Sequence, residues 1–172
     1  ITKDRQRQNN GKPPRDKDAG WGAKGDKLVE TVHGTERKTE YFYGYKDQVS
    51  LNAENGLVTS LVAGHADDYD GHEFCKLVEK DLKKGIEVGT VTADKGYDDG
   101  ENHYYLKQKG INSAIRLKKS RTQKKDSHKA GWLKLMEEPT YQEGLKQRYQ
   151  IERKFGEARK WHSFKRCRYI GN

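Results

Sequence analysis

The sequence contains few apolar residues and no long apolar run. Hydrophobic residues make up 31% of the 172 residues, and charged residues make up 35%. A membrane-spanning helix needs about 20 consecutive, mostly apolar residues, and the opening segment ITKDRQRQ is too polar for a signal peptide. The sequence therefore predicts neither a membrane-spanning helix nor a signal peptide. The length is that of one domain with a single core, around which we expect exposed arms or loops.

Cysteine and methionine are also scarce. The two cysteines, Cys75 and Cys167, are far apart and form no CxxC pair, which argues against a disulfide framework or a zinc site and favours a reducing compartment. The six histidines are scattered, and we expect them to be surface or structural residues rather than metal ligands. Met136 is the only methionine. Because Ile1 is not an encoded initiator, we expect the chain to be a fragment.

Positive charge is in excess. The chain has 35 Lys and Arg against 26 Asp and Glu, a net charge of +9. Such an excess favours a polyanionic partner, and nucleic acid is the first candidate. An anionic membrane surface is a weaker candidate, because no strongly amphipathic basic helix is apparent.

Residues 1–40 are charged and Gly-rich, with almost no apolar periodicity. Leu28, Val29 and Val32 are the exception, and they would form one short strand or one turn of helix. The composition therefore predicts a charged arm or linker over this segment.

The pattern becomes regular after residue 40. YFYGYKDQVSL and LVTSLVAG are β-type runs on either side of the turn sequence AENG, which predicts a hairpin. HEFCKLVEKDLKK has apolar residues at helical spacing and is followed by Gly85, which predicts a helix that ends there.

The next segments alternate between strand and helix. EVGTVTAD predicts a buried strand, ENHYYLKQKG a helix and INSAIRL a second strand. Strands joined in this way pair in parallel through right-handed crossovers. The sequence thus predicts an α/β fold in which one mixed sheet, made of the hairpin and the parallel strands, is flanked by helices.

Two features remain towards the end of the chain. Residues 118–138 are basic and poorly periodic, which predicts either a solvated loop or a surface that binds a DNA backbone. Pro139 then precedes a single long helix, predicted from about Tyr141 to Trp161.

Asp94 follows directly after the strand VGTVTA. The carboxyl ends of parallel strands are where open α/β sheets bind their ligands. An Asp close to a Gly is also common in ordinary turns, so this position by itself leaves both interpretations open.

Glu152 is a second candidate acid, on the predicted final helix. At 100° per residue, Arg148 and Arg159 lie within about 40° of Glu152, beside an apolar stripe that contains Ile151 and Phe155. The simplest explanation is a surface Arg–Glu pair worth a few tenths of a kcal/mol. The alternative is that Glu152 borders the core and binds a metal ion.

An Asp at a strand end and a Glu on a packed helix together suit hard divalent cations, which prefer oxygen ligands. Two such ions about 3.5 to 4 Å apart stabilise the attacking and leaving oxygens of a phosphoryl displacement. This interpretation requires the carboxylates of Asp94 and Glu152 to lie close together, with the arginines contacting phosphate or steering the carboxylates.

Four blocks occur in order from residue 41 to the end: YFYGYKDQVSL, NGLVTSLVAGHADDYDGHEF, VTADKGYDDGENHYYLKQKGI and RYQIERKFGEARKWHSFKRCRYIGN. Together they resemble the DDE transposases of bacterial insertion sequences. The resemblance implies a ribonuclease H-like catalytic domain over residues 41–172. It also implies DNA transposition, in which two Mg²⁺ or Mn²⁺ ions activate water and then a DNA 3′-hydroxyl.

The resemblance also assigns roles to single residues. Asp94 resembles the second acidic residue of the family and Glu152 the third. The family's helix signature is Tyr-x2-Arg-x3-Glu-x6-Lys, in which Arg148 and Glu152 match, Leu145 stands in place of Tyr, and Arg159 stands in place of Lys. Arginine preserves the charge of lysine but has a different donor geometry.

The partners implied are the DNA of the transposon ends and of the target, with a homodimer as the active assembly and no membrane. The expected location is the bacterial cytoplasm, in association with the nucleoid. The predicted DNA-binding residues are basic side chains of the final helix and of the 118–138 segment: Arg148, Arg159, Lys160, Lys118, Lys119, Arg121, Lys124 and Lys125.

The first acidic residue of the family has no good match. Asp16 and Asp18 lie in the polar arm, and no apolar strand ending in Asp precedes Tyr41. We therefore expect the first strand and its Asp to lie upstream of Ile1. On that hypothesis residues 1–172 are catalytically inactive, or nearly so, by themselves.

Two other functions remain open. The chain is either a non-catalytic basic module that binds nucleic acid, or a ribonuclease H-like nuclease or resolvase that acts on hybrids or junctions. Salt-sensitive DNA binding is expected of the basic module and of the transposase alike, whereas metal binding that depends on Glu152 is expected only of an enzyme.

Overall fold

In the computed structural model the described residues are 7, 10–123, 126–162 and 164, without the side chains of residues 24 and 26. The chain divides into two compact units. One comprises Ile1–Gln48, Ala63–Asp68 and Arg166–Asn172, and the other comprises Val49–Val62 and Tyr69–Lys165.

The first unit contains a long antiparallel hairpin. Strands β1 (Gly20–Thr31) and β2 (Gly34–Leu51) pair from Gly20↔Gly44 to Thr31↔Gly34. Gly34 has a φ of 118°, which suits the tight turn between the strands. The expectation of an extended arm over residues 1–40 is therefore wrong from Gly20 onward. Most side chains of β1 are exposed, so its sequence lacks the alternation of apolar and polar residues that predicts a strand. The strand is held instead by backbone pairing with β2.

Strand β3 (Val58–His65) adds to β2, so that the sheet has the order β1-β2-β3. Asn52 begins the connecting turn, where its Oδ1 accepts a hydrogen bond of 2.8 Å from the Glu54 amide. Gly56 completes the turn with a φ of 71°. The hairpin predicted around AENG is confirmed.

The predicted helix is present in the second unit as α1 (Asp70–Lys83). Its buried Asp81 accepts hydrogen bonds from three hydroxyls: from Ser50, from Thr59 at 3.0 Å and from Ser60 at 2.6 Å. A buried carboxylate needs such donors to offset its lost hydration. These bonds hold α1 against the end of the β2–β3 hairpin.

Helix α2 (Gly100–Gln108) connects β4 (Thr90–Ala93) to β5 (Asn112–Ile115), and the two strands pair in parallel. The predicted strand–helix–strand order is confirmed. Side chains from α1, α2, β5 and the turn before β5 form a buried apolar cluster: Phe74, Val78, Leu106, Ile111 and Ile115.

The predicted single mixed sheet is not found. Among the described residues the strands form two separate sheets, β1-β2-β3 and β4-β5. A strand joins a sheet only by pairing with a free edge. In the described part of the chain the β4 ladder is made with β5 alone, and no ladder connects it to the hairpin.

The basic 118–138 segment contains a helix. A 3-10 turn, Lys119–Thr122, is followed by α3 (Lys129–Glu137), so the prediction of a basic loop over residues 118–138 is wrong at Lys129–Glu137, where the chain is helical. Lys124 and Lys125 lie outside the described residues.

The final helix is interrupted. The chain forms α4 (Pro139–Gln147) and α5 (Tyr149–Trp161), with Arg148 between them. The backbone of Arg148 stays in the right-handed helical region (φ −56°, ψ −30°), so the break is local. The prediction of one continuous helix is wrong only at this residue.

Helix α4 packs closely against the two-stranded sheet at Gly144. A Cβ on Gly144 would overlap the Cβ of Ala114 and lie 2.9 Å from Thr92 Oγ1. The Thr92 hydroxyl donates a hydrogen bond of 3.0 Å to the Gly144 carbonyl. Tyr141, one turn earlier, is buried, and its hydroxyl accepts a hydrogen bond of 3.4 Å from the Leu117 amide. Within the described residues, no helix has the length and apolar character needed to cross a membrane.

We predict that Gly144→Ala destabilises the protein. The added methyl group would overlap the Cβ of Ala114, which is fixed to the backbone of the sheet and cannot rotate away. The free energy of unfolding should therefore fall by about 1 to 3 kcal/mol. Urea unfolding measures the change.

Gly156→Ala is the matched control. Gly156 lies within α5, where an added Cβ would meet no atom within 4 Å. Alanine there should raise the free energy of unfolding by up to about 1 kcal/mol, because it favours the helix. Equal effects of the two substitutions would contradict close packing at Gly144.

Candidate active site

Asp94 lies at the carboxyl end of β4, as the sequence predicts. Its Oδ1 accepts a hydrogen bond of 2.7 Å from the Lys95 amide, which caps the 3-10 turn Lys95–Tyr97. The side chain is 55% exposed. Asp94 is thus part of a turn and also open to solvent, so the structural and functional interpretations of this residue are compatible.

Glu152 lies in the first turn of α5, where a carboxylate interacts favourably with the helix dipole. Its side chain is 59% exposed, and its Oε1 lies 2.8 Å from Nη2 of Arg148. The surface Arg–Glu pair, the simplest explanation of the sequence pattern, is therefore present.

Arg148 connects the two acids. Its Nη1 lies 3.3 Å from Asp94 Oδ1, while its Nη2 contacts Glu152 Oε1. The structure therefore brings Asp94 and Glu152 to opposite ends of one guanidinium group. Because both carboxylates are more than half exposed, we assign the pairing only about 0 to 1 kcal/mol of stability.

This donor set fits a divalent cation that keeps several water ligands. Mg²⁺ is commonly held by one or two carboxylates together with water. The ion pairs with Arg148 use Oδ1 of Asp94 and Oε1 of Glu152. The two exposed carboxylates face one cationic group, and a bound metal ion would occupy a similar position between them.

A separate acidic group lies in the first unit. Among the described residues, His65, Asp67 and Asp68 form the one set of three or more possible metal ligands whose ligand atoms lie within 4.8 Å of one another. This set includes neither Asp94 nor Glu152, and the sequence gave no reason to expect it. Asp68 Oδ2 already accepts a hydrogen bond of 2.6 Å from the His65 amide.

Two of the predicted DNA-binding residues contact a buried carboxylate instead. Asp98 is fully buried, and its oxygens lie 2.6 Å from the Lys118 amide, 3.1 Å from His103 Nε2 and 3.3 Å from Arg121 Nε. The ammonium of Lys118 donates to the Asp98 carbonyl at 2.9 Å. Lys118 and Arg121 therefore help to hold the start of the basic segment in place, and any contact with DNA would be additional.

The environment of Asp98 stabilises its charged form. Burial by itself would raise the pKa of Asp98, but hydrogen bonds from His103 and the Lys118 amide, together with the charge of Arg121, lower the pKa below its ordinary value. The other ring nitrogen of His103 lies 2.9 Å from Ser113 Oγ, so the network reaches β5. His103 is therefore a buried structural residue, as expected.

Trp132 of α3 completes the network. Its ring lies 4.9 Å from the His103 ring and 4.7 Å from the Arg121 guanidinium. These contacts connect α3 to the Asp98 network. Asp98 is not among the residues predicted from the sequence, where its only signal is that it lies four residues after Asp94.

The remaining predicted basic residues are on the surface. Lys119, Arg159 and Lys160 are exposed, and the Lys160 ammonium lies 4.6 Å from the centroid of the Trp161 ring. An exposed cation of this kind is suited to contact with a phosphate backbone.

Comparison with known proteins adds a family. Residues 11–172 match the family described as Transposase DDE domain. The chain is similar to the transposase for insertion sequence element IS1106 of Neisseria meningitidis serogroup B, with 31% identity over 162 residues. That match covers 92% of this chain and 46% of the relative, so the chain spans about half the relative's length. No solved structure matches the chain. The family match begins well before residue 41 and includes both Asp94 and Glu152.

We predict that Asp98→Asn lowers the free energy of unfolding by about 1.5 to 3 kcal/mol at neutral pH, because it removes the charged acceptor from His103 and Arg121. Asp99→Asn is the matched control. Asp99 caps α2 by accepting a hydrogen bond from the Glu101 amide, and asparagine caps a helix equally well.

The same variant gives a pH test. Because the pKa of Asp98 is lowered by folding, its contribution is complete above the unfolded value near 3.8 and is lost as the pH falls through the lower folded value. The difference in unfolding free energy between wild type and Asp98→Asn should therefore shrink as the pH is lowered from 6 to 3. A constant difference would contradict an ionised Asp98.

Proposed function

Because this chain belongs to the Transposase DDE domain family, we propose that it is part of the catalytic domain of an insertion-sequence transposase, with a ribonuclease H-like fold over residues 41–172. The proposed reaction is metal-dependent hydrolysis of a phosphodiester at the ends of the element, followed by strand transfer. The observation that carries the proposal is that Asp94 and Glu152 contact the same guanidinium at the carboxyl end of β4.

The proposed roles follow from position and charge. Asp94 and Glu152 would hold Mg²⁺ or Mn²⁺, and a bound pair of such ions supplies stabilisation of the attacking and leaving oxygens. Arg148, at the start of α5, and Arg159, in its last turn, would orient the phosphate by charged hydrogen bonds. Lys119 and Lys160 would contact the DNA backbone further from the reacting phosphate.

The proposed site is incomplete within the described residues. The family implies a third acid, and no group of three possible ligands there contains Asp94 or Glu152. On this ground we propose that residues 1–172 alone have little or no catalytic activity. The proposed partners are the DNA of the element's ends and target, with a second copy of the protein in the active complex, in the bacterial cytoplasm.

We predict that the protein binds Mn²⁺ and that Asp94→Asn and Glu152→Gln each weaken this binding by at least about tenfold, because each removes a charged ligand. Isothermal titration calorimetry without DNA measures the affinity.

Asp67→Asn is the control for that measurement, since Asp67 belongs to the separate group in the first unit. Binding that is lost with Asp67→Asn and unchanged by the other two substitutions would contradict the proposed site. Mn²⁺ binding that is unaffected by all three, with DNA binding retained, would favour a non-catalytic nucleic-acid-binding module.

We predict that Lys119→Gln weakens duplex DNA binding and reduces the slope of log K against log salt by up to about 0.9, the value for one phosphate contact. Lys83→Gln is the control. Lys83 is exposed in α1, where its ammonium lies 3.9 Å from Glu79. Its substitution removes the same charge as Lys119→Gln, but outside the basic segment. Fluorescence anisotropy over a range of salt concentrations measures both variants. Equal losses would indicate an effect of net charge alone.

A further inference from the structure

The guanidinium of Arg148 contacts both carboxylates that are proposed to hold the metal. We infer that Arg148 competes with the divalent cation for Asp94 and Glu152, and that binding of the cation requires this side chain to leave at least one of the two carboxylates. The inference rests on the proposed function, because it assumes that these acids are the metal ligands.

The physical basis of the competition is charge. Arginine remains protonated at every pH at which a protein is folded, so a positive charge lies between the two carboxylates whenever the contacts are made. A divalent cation that binds both acids needs the same oxygens, or oxygens of the same carboxyl groups, and is repelled by the guanidinium. The two cations therefore cannot both bridge Asp94 and Glu152.

The contacts of Arg148 are of a kind that can be exchanged. Its side chain is 27% exposed, and each carboxylate is more than half exposed, so neither the ion nor the guanidinium must cross the apolar core. Arg148 also lies at the interruption between α4 and α5, outside both helices. This differs from Arg121, which contacts the fully buried Asp98.

A displaced guanidinium would find a new partner in a DNA phosphate, which accepts the same bidentate hydrogen bonds as a carboxylate. DNA would then favour metal binding by drawing Arg148 away from the acids, and metal would favour DNA binding by releasing Arg148. Such coupling is reciprocal and typically changes affinities by about 5-fold to 150-fold.

The test measures Mn²⁺ affinity without DNA, so it does not depend on activity. We expect Arg148→Gln to bind Mn²⁺ at least about fivefold more tightly than wild type. Arg148→Lys keeps the charge but lacks the planar group that spans two carboxylates. We expect it to bind Mn²⁺ more tightly than wild type and less tightly than Arg148→Gln.

Arg153→Gln is the matched control. It removes one positive charge from α5, five residues after Arg148, but Arg153 pairs with Glu157 at 3.5 Å and is 72% exposed. We expect its Mn²⁺ affinity to equal that of wild type. Thermal unfolding of each variant shows whether it is folded, and if Arg148→Gln is not, Arg148→Lys alone decides the test.

Unchanged or weaker Mn²⁺ binding by the folded Arg148 variants would overturn the inference, since Arg148 would then be neutral or would hold the carboxylates ready for the ion. Failure of the proposed function gives a different result. In that case wild type would not bind Mn²⁺, or Asp94→Asn and Glu152→Gln would leave its affinity unchanged. Either result would contradict both the proposed metal site and the inference about Arg148.

Discussion

The candidate site depends on the close approach of α4 to the two-stranded sheet at Gly144. The absence of a side chain there allows the helix backbone to contact Ala114 and to accept the hydrogen bond of Thr92. An α-helix completes a turn about every 3.6 residues, so Arg148 follows roughly one turn after Gly144. The contact thereby fixes the end of α4, directly before Arg148, and Arg148 meets Asp94 at the end of β4.

Burial separates two groups of acids that are close in the sequence. Asp98 is fully buried and needs permanent donors, which it obtains from His103, Lys118 and Arg121. Asp94, one 3-10 turn earlier, is more than half exposed, and its cationic partner Arg148 is partly exposed. The same turn therefore carries one carboxylate that organises the basic segment and another that is open to an ion from solvent.

The elements between residues 41 and 117 were predictable because their signals are local. The Asn-Gly turn, the helical spacing before Gly85 and the two β-type runs each depend on neighbouring residues. Strand β1 was not predictable in this way, because its side chains are mostly exposed and its stability comes from pairing with β2. Helix α3 was missed for a related reason: Trp132 is held by His103 and Arg121, which precede it by many residues.

The sequence by itself determined the excess of positive charge, an acid after a predicted strand, a second acid on a predicted helix and the resemblance to a family that the comparisons support. Only the tertiary structure decided which cations meet which acids. Arg148 contacts both Asp94 and Glu152, whereas Lys118 and Arg121 are directed to Asp98. The physical reason is that an ion pair depends on distances of a few ångströms between side chains far apart in the chain, and packing sets those distances, whereas local periodicity does not.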